Sequence, residues 1–333
     1  MTVGNEMQSK RRKKSGQVRR VVSMLALAAG LGLLATALYR PEAPAPIVAV
    51  VPPRETAVPP RSAAPPAEAP QPAAVVPLRP TPPPPALPAW RRNAVEVGPD
   101  DGKPMIAIVL DDMGVDRARS ATAMALPGPL TLSFLAYAKE LPAQTTAAKA
   151  QGHELLLHVP MEPLSASVDP GPNALTVSLD DAEIRRRLEW DLDRLDGIVG
   201  ANNHMGSRFT QWRHGVEIVE TVLRERGLFV LDSRTTAQTV VIEVAKSIGL
   251  PHVKRDVFLD DDMAAPAVGK ELQRTEEIAR RNGFAVAIGH PHDGTVAELR
   301  TWLPTLASKG FRLVPLSAIV MRSEGASAEE TAD

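Results

Sequence analysis

The sequence "MIAIVLDDMG", residues 105–114, contains the feature that decides the fold. It begins with a short run of Ile, Val and Leu, which is typical of a strand buried on both faces. The run ends in two adjacent carboxylates, Asp111 and Asp112, although an unpaired carboxylate near a core is energetically costly. At the carboxyl end of a parallel strand, paired acids can hold a metal ion and accept a proton. The segment therefore predicts a buried parallel strand with chemically active residues at its tip.

Similar apolar runs recur through residues 103–321, and helical patterns separate most of them. The clearest helical pattern follows Ser178, which is its predicted N-cap. Alternating strands and helices predict one α/β domain with a parallel sheet, closed into a distorted (β/α) barrel of seven or eight strands. The predicted strands are Met105–Leu110, Leu130–Leu135, Glu154–Val159, Ile198–Gly200, Leu228–Leu231, His252–Val257, Phe284–Gly289 and Phe311–Val314.

The N-terminus predicts a membrane anchor. Basic residues crowd residues 1–20, a predicted cytoplasmic segment, and an uncharged run follows at 21–38. As a helix this run would span about 27 Å, close to the thickness of a bilayer core. The charge order predicts a single-pass protein of the bacterial inner membrane, with its remainder in the periplasm. A cleaved signal peptide is the alternative.

The segments that flank the domain are predicted to lack secondary structure. Residues 39–102 are rich in Pro and Ala, which predicts a disordered, stalk-like linker. Residues 322–333 are small and acidic, and are predicted to be a disordered tail. The chain has no cysteine, which excludes disulfides and thiolate ligands, and its formal net charge of -1 does not favour a nucleic-acid partner.

Polar residues follow several of the other predicted strands. His158 closes the strand in "GHELLLHVPMEP", residues 152–163, and a predicted loop over residues 200–210 concentrates amides, an imidazole and a guanidinium. Because the carboxyl ends of parallel strands meet at one rim, we expect these side chains to converge with Asp111 and Asp112. The candidates from the later segments are Asn202, Asn203, His204, Arg208, Asp232 and His290.

A carboxylate and imidazoles at one rim predict a divalent metal site. One Asp and two His, with water in the remaining positions, form an open catalytic geometry that suits Zn²⁺. Such a cation polarises a carbonyl and lowers the pKa of water, while a second Asp acts as base and a further His as acid. This is chemistry for hydrolysing an amide or an ester.

Five ordered motifs, "IVLDDMG", "HVPMEP", "NNHMGSRFT", "LDSRTT" and "IGHP", resemble those of the divergent polysaccharide deacetylase family. This family is a branch of the NodB-homology deacetylases, and the resemblance covers roughly residues 104–318. It implies a distorted (β/α) barrel that carries a metal at the carboxyl ends of its strands. It also implies removal of N- or O-acetyl groups from a cell-envelope polysaccharide, which would be the substrate partner.

The resemblance also implies individual roles. Asp111 would be the general base, and Asp112 and His158 would bind the metal. Glu162 stands where the typical deacetylase has its second metal histidine, so we expect His204 to supply that imidazole, with Glu162 as the alternative. The remaining expected roles are orientation of Asp111 by Arg208, orientation of a catalytic His290 by Asp232, and substrate binding by Asn202 and Asn203.

Two other functions stay open at this point. The replacement of a histidine by Glu162 is compatible with a deacetylase-like domain that binds a glycan or an envelope protein without turnover. A metal-dependent hydrolase of a peptide or phosphoester is a third possibility, although no phosphate-binding motif occurs in the sequence.

Overall fold

The computed structural model describes residues 87–330, and the side chains of residues 87–324. The predicted transmembrane helix at 21–38 and most of the predicted linker lie outside the described residues. Within residues 87–330, every helix is too short or too polar to cross a membrane.

Strands and helices alternate along most of the described chain, as the sequence predicts. Within residues 87–330 the strands are β1 (Met105–Met113), β2 (Thr131–Leu135), β3 (Glu154–Met161), β4 (Gly200–Met205), β5 (Phe229–Asp232), β6 (His252–Lys254), β7 (Val257–Phe258), β8 (Phe284–Gly289) and β9 (Arg312–Leu313). The α-helices there are α1 (Ala89–Arg92), α2 (Arg117–Met124), α3 (Leu141–Ala150), α4 (Asp181–Leu192), α5 (Arg213–Glu225), α6 (Val241–Ile248), α7 (Ala265–Asn282), α8 (Asp293–Trp302) and α9 (Leu316–Glu330).

The sheet is parallel and strongly curled. Its order is β6-β5-β4-β3-β2-β1-β8-β7, with β9 paired to β1. The edge strands β6 and β7 are separated in the chain only by Arg255 and Asp256, so Lys254 and Val257 are at most about 11 Å apart. These two linking residues donate backbone hydrogen bonds to β5 and β8 respectively. The α/β class and the parallel sheet are confirmed, and the barrel takes the form of a curled half-barrel.

Alternating residues of the strands pack into two separate cores. Ile106, Ile108 and Leu110 of β1 belong to the core beneath helices α2 to α8, whereas Ala107 and Val109 belong to a second core on the concave face. This period of two is what a sheet buried on both faces requires. A side chain's position in the strand therefore decides whether it points toward the outer helices or into the half-barrel.

Helix α9 fills the amino end of the concave face. Its residues Leu316 and Ile319 belong to the concave core, and its first amides are capped from the starts of two strands. Leu316 N donates to Thr131 Oγ1, and Ser317 N donates to the buried carboxylate of Glu154. The helix thus closes one end of the half-barrel and leaves the carboxyl ends of the strands free for a site.

The ordered domain extends beyond both predicted boundaries. Trp90, which falls in the predicted linker, is only 2% exposed and packs edge-on against Phe229 with ring centroids 6.1 Å apart. At the other end α9 continues to Glu330, so residues 322–330 are helical where a disordered tail was predicted. Tertiary burial of Trp90 and of the start of α9 outweighs the Pro-rich and small-residue composition on which those predictions depended.

Three local predictions also need correction. Residues 202–205 continue strand β4, where a loop was predicted, because their backbone pairs with β3 from His158 to Met161. The predicted strand His252–Val257 divides into β6 and β7, which lie on opposite edges of the sheet. Helix α4 is capped by Asp180, whose carboxylate accepts from Glu183 N, and not by Ser178.

Glu220 of α5 gives a stability prediction. It is 1% exposed, neither of its carboxylate oxygens has a hydrogen-bond partner among the described residues, and burial raises its pKa from 4.5 to about 9. Between these values the unfolded state loses a proton that the folded state keeps, so this group lowers the free energy of unfolding as pH rises. We expect the stabilisation by Glu220→Gln to be larger at pH 8 than at pH 4 by roughly 3–5 kcal/mol.

Urea denaturation of both proteins across this pH range measures the difference. Glu217→Gln is the matched control, since Glu217 lies one turn away on α5 with a side chain 44% exposed. A Glu220→Gln effect that is the same at pH 4 and pH 8 would contradict a neutral, buried Glu220.

Candidate active site

Chemically active side chains from five strands meet at the carboxyl end of the concave face. Asp111 continues the Ala107 and Val109 face of β1, and His290 continues the Val286 and Ile288 face of β8. The same alternation gives inward positions to the residues contributed by β3, β4 and the end of β7. These are His158, Asn202, His204 and Asp260. Hydrogen bonds link Asn202 to Asp111 and His158, and Asp260 to His290.

A distortion of β1 brings two neighbouring carboxylates to the same place. Neighbouring residues of a regular strand point to opposite faces, but the β1–β2 register shifts between Leu110 and Met113. Within this bulge Asp112 has a φ of 57°, a left-handed conformation that is unfavourable for a residue with a Cβ. As a result Asp111 Oδ2 and Asp112 Oδ1 lie 3.7 and 3.3 Å from the same atom, His158 Nε2.

Three atoms from β1, β3 and β4 form a tight triangle. Asp112 Oδ1 lies 2.8 Å from His204 Nδ1 and 3.3 Å from His158 Nε2, and the two imidazole nitrogens are 3.3 Å apart. His204 reaches this point because it lies two residues beyond Asn202, which pairs with His158 across β3 and β4. Neighbouring strands thus supply the two imidazoles, at the same end of the sheet.

The buried side chain of Asn202 holds this cluster in one arrangement. Its Nδ2 donates to both oxygens of Asp111 at 2.9 and 3.0 Å and to Ser233 Oγ at 3.0 Å. Its Oδ1 accepts from Ser133 Oγ at 2.6 Å and from His158 Nδ1 at 2.9 Å. Because an amide oxygen only accepts, His158 must carry its proton on Nδ1 in the neutral form, which leaves the Nε2 lone pair facing the triangle.

His290 and Asp260 form a second, charge-assisted pair beside the triangle. Asp260 Oδ1 accepts from His290 Nδ1 at 3.0 Å, and Asp260 Oδ2 accepts from His290 N and Thr295 Oγ1. Burial lowers the pKa of His290, but the hydrogen bond to Asp260 and the charge of Asp111 outweigh it and raise that pKa to about 9. His290 Nε2 points toward the triangle, 3.9 Å from Asp112 Oδ2, so its proton faces the site.

The two neighbouring carboxylates are in different electrostatic states. Burial raises the pKa of Asp111, and the charges of His158 and His290 only partly offset this effect. Burial also acts on Asp112, but the adjacent His158 and His204 imidazoles outweigh it and hold the pKa of Asp112 well below its usual range. Asp111 is therefore the better proton acceptor, and Asp112 is the better permanent anion.

The family model described as "Divergent polysaccharide deacetylase" matches residues 108–320, which include all of these residues. The chain belongs to this family. The resemblance read from the five sequence motifs is thereby confirmed.

Individual relatives have sequences similar to that of this chain. It is 34% identical over 202 residues to an uncharacterized protein of Haemophilus influenzae, a match that covers 60% of this chain and 71% of that protein. It is 35% identical over 195 residues to the uncharacterized protein YibQ of Escherichia coli, covering 59% of this chain and 61% of YibQ. The match therefore spans less than two thirds of the YibQ chain.

A solved structure has a similar fold. The crystal structure of the uncharacterized protein ATU2773 from Agrobacterium tumefaciens C58 superposes with a TM-score of 0.68 and 29% sequence identity. The superposition covers 70% of this chain and 95% of that one. The half-barrel is thus the fold of a related protein as well.

The triangle of Asp112, His158 and His204 fits a divalent cation. Asp112 Oδ1 is buried and has no partner of hydrogen-bond geometry among the described residues, although two imidazole nitrogens lie close to it. When His158 is neutral its Nε2 is also bare, so three electron-rich atoms converge, and only positive charge between them makes this favourable. Ligands of a tetrahedral Zn²⁺ are roughly 3.3–3.6 Å apart, which is similar to the observed spacing. Asp112, His158 and His204 would hold the ion.

The alternative ligand Glu162 is occupied elsewhere. Its Oε2 accepts from Val177 N at 2.7 Å, and its Oε1 pairs with Arg208 at 3.1 Å. Glu162 thus ties the end of β3 to the following loop. This pairing also corrects the prediction that Arg208 orients Asp111, because the Arg208 side chain is 53% exposed and contacts Glu162 instead.

The prediction that Asp232 orients His290 is also corrected. Asp232 shares the face of Val230, which packs under the outer helices, and its carboxylate accepts from Arg234 N and Thr239 Oγ1. Asp260 takes the predicted role. Asp260 is not among the candidates from the sequence, although alternation from Phe258 on β7 gives it an inward position by which it could have been found.

The predicted substrate-binding amides are structural. Asn202 is buried and uses its amide group within the cluster. Asn203 is buried on the opposite face of β4, where it accepts from Ser233 N and donates to Met205 O. The loop reading missed these roles because amides are common in turns, whereas here they satisfy one another inside a strand.

Proposed function

We propose that this protein is a metal-dependent hydrolase that removes N- or O-acetyl groups from a cell-envelope polysaccharide. The observation that carries the proposal is the convergence of Asp112 Oδ1, His158 Nε2 and His204 Nδ1, with Asp111 and the His290–Asp260 pair beside them. Membership of the divergent polysaccharide deacetylase family supports the choice of an acetylated polysaccharide.

The protein's own groups divide the proton transfers between them. A Zn²⁺ or similar ion held by Asp112, His158 and His204 would supply Lewis acidity, which would polarise an acetyl carbonyl and make water more acidic. Asp111, with its raised pKa, accepts the proton of the attacking water. His290 is protonated at neutral pH and delivers the proton at Nε2 to the departing amine or alcohol. Asp260 keeps His290 in the required orientation and charge state, and Asn202 does the same for Asp111.

Acetate release tests the proposed function. The zinc-loaded full chain is incubated with N-acetylated and O-acetylated glycans, with and without a chelator, and released acetate is quantified. We expect release that stops on chelation and returns when Zn²⁺ is added. Glycan binding without any acetate release, unaffected by chelator, would support the non-enzymatic alternative.

We also propose that the domain works in the periplasm, tethered to the inner membrane. The basic residues before the apolar run at 21–38 and the Pro-rich segment after it support this location. Protease accessibility of the domain in spheroplasts tests it, and a domain protected from external protease would contradict it.

Replacing Asp260 is expected to change the pH dependence of the reaction. The Asp260 carboxylate holds the pKa of His290 near 9, and activity that needs a protonated His290 falls as pH rises through that value. In Asp260→Asn the fall should occur at a pH lower by about one to three units, because an adjacent opposite charge shifts a pKa by that much. The pH profile of kcat measures the shift.

Asp261→Asn is the matched control, since Asp261 is the next residue and is exposed. Its alkaline limb should coincide with that of the unmodified protein. An unchanged profile in Asp260→Asn would exclude the role given to the His290–Asp260 pair.

A further inference from the structure

A second group of metal ligands lies beside the first. Ligand atoms of Asp260, His290 and His292 all fall within 4.8 Å of one another. We propose that these residues bind a second divalent cation, which inhibits the enzyme. The two imidazoles and one carboxylate are the same set of donors as in the first group, and they suit Zn²⁺.

The local backbone brings the two histidines together. His292 N donates to His290 O at 2.8 Å, which folds the chain so that the two rings lie 5.5 Å apart with an interplanar angle of 32°. Within the described part of the chain, the His292 side chain forms neither a hydrogen bond nor an ion pair. The hydrolytic chemistry does not use it, and its nitrogens are free to bind a ligand.

One imidazole ring connects the two sites. His290 Nε2 faces Asp112 of the first group at 3.9 Å, whereas His290 Nδ1 faces Asp260 of the second group at 3.0 Å. The nitrogen that orients the catalytic histidine is therefore also the nitrogen available to a second cation. Occupation of one site must affect the other.

Binding of the second cation exchanges one Zn²⁺ for one proton. The ion takes the Nδ1 lone pair and a carboxylate oxygen of Asp260, and the proton that Nδ1 had donated to Asp260 leaves to solvent. With the ion on Nδ1, Asp260 no longer accepts a hydrogen bond from that nitrogen and no longer orients the ring whose Nε2 faces the first group. This inhibition rests on the proposed function, whereas the binding itself does not.

Zinc stoichiometry of the full chain tests the binding. The protein and its variants are dialysed against increasing ZnCl₂, and bound metal is counted by mass spectrometry. We expect two equivalents in the unmodified protein, one in His292→Ala, and one, at the second site, in His158→Ala. His214→Ala is the matched control and should also bind two equivalents of zinc. His214 is an exposed histidine of α5 that pairs with Asp181 of α4.

Acetate release in the same titration tests the inhibition. Mutation of a residue that only hydrogen-bonds to a metal ligand typically weakens metal binding about 10–100-fold. Loss of the ligand His292 should weaken it at least as much, so the half-inhibitory Zn²⁺ concentration should rise at least about tenfold in His292→Ala. The activity of this variant with one zinc equivalent should be unchanged. A single equivalent in the unmodified protein, or two equivalents in a folded His292→Ala, would overturn the proposal. If no variant releases acetate, the proposed function fails while the stoichiometry still decides the second site.

Discussion

His158→Ala is expected to lose the zinc held by the triangle of Asp112, His158 and His204, and with it acetate release. His158 Nε2 is one of the three atoms that face the cation position, and removal of its ring leaves only Asp112 and His204. Metal assistance is worth several kcal/mol of transition-state stabilisation, so we expect kcat/KM to fall at least about 10³-fold. Zinc content by mass spectrometry and acetate release from the same preparation measure the two losses.

A second variant separates this effect from unfolding. His158 is buried, so its removal can disturb packing, but the His204 side chain is 14% exposed and contributes the other imidazole. His204→Ala should reproduce both losses with an unchanged thermal transition. His214→Ala should keep full zinc content and activity. Full acetate release by a folded His158→Ala protein would remove the proposed role of this histidine.

Asp111→Asn is expected to lose turnover while keeping its zinc. The substitution keeps the shape of the side chain and one of its two hydrogen bonds from Asn202, but removes the base. Loss of a general base costs about 10²–10⁴-fold in kcat. Steady-state acetate release and zinc content, measured together, distinguish a base from a ligand because only a ligand affects both.

The matched control for Asp111 is the aspartate at the tip of β5. Asp232→Asn changes a buried carboxylate at the same end of the sheet, but on the face that packs under the outer helices. It should leave kcat unchanged under conditions where the protein stays folded. Zinc loss in Asp111→Asn, or a normal kcat, would contradict the assignment of Asp111 as base.

Much of this site follows from strand ends in the sequence. Asp111, Asp112, His158 and His290 each follow an apolar run, and parallel strands place such positions at one rim. The substitution of His204 for the absent motif histidine could also be anticipated, since no other imidazole lies on the next predicted segment. The structure brings His204 to the position left open by Glu162, which instead anchors the loop through Arg208.

Other parts of the site depend on contacts that a sequence does not display. Asp260 pairs with His290 because β7 lies beside β8, although the chain runs from β6 on the opposite edge of the sheet. The three consecutive aspartates at residues 260–262 do not indicate which strand lies beside them. The role of Asn202 also cannot be predicted from the sequence. A buried amide in a strand is favourable only when it is fully hydrogen-bonded, here by Asp111, His158 and two serines.

The bulge in β1 explains how two neighbouring aspartates reach the same imidazole. A regular strand would direct Asp112 toward the outer helices, and the left-handed conformation at this residue turns it back to the site. Such a conformation costs about 1–3 kcal/mol and persists where the surrounding structure imposes it. Here it lets Asp111, whose pKa is raised, and Asp112, whose pKa is lowered, face the same imidazole.

Diffraction at the zinc absorption edge would test the central claim most directly. Crystals of the protein grown with one equivalent of Zn²⁺ should give an anomalous peak bounded by Asp112 Oδ1, His158 Nε2 and His204 Nδ1, each about 2.0–2.2 Å from it. The absence of a peak at that position, or a zinc held by a different set of side chains, would contradict the account.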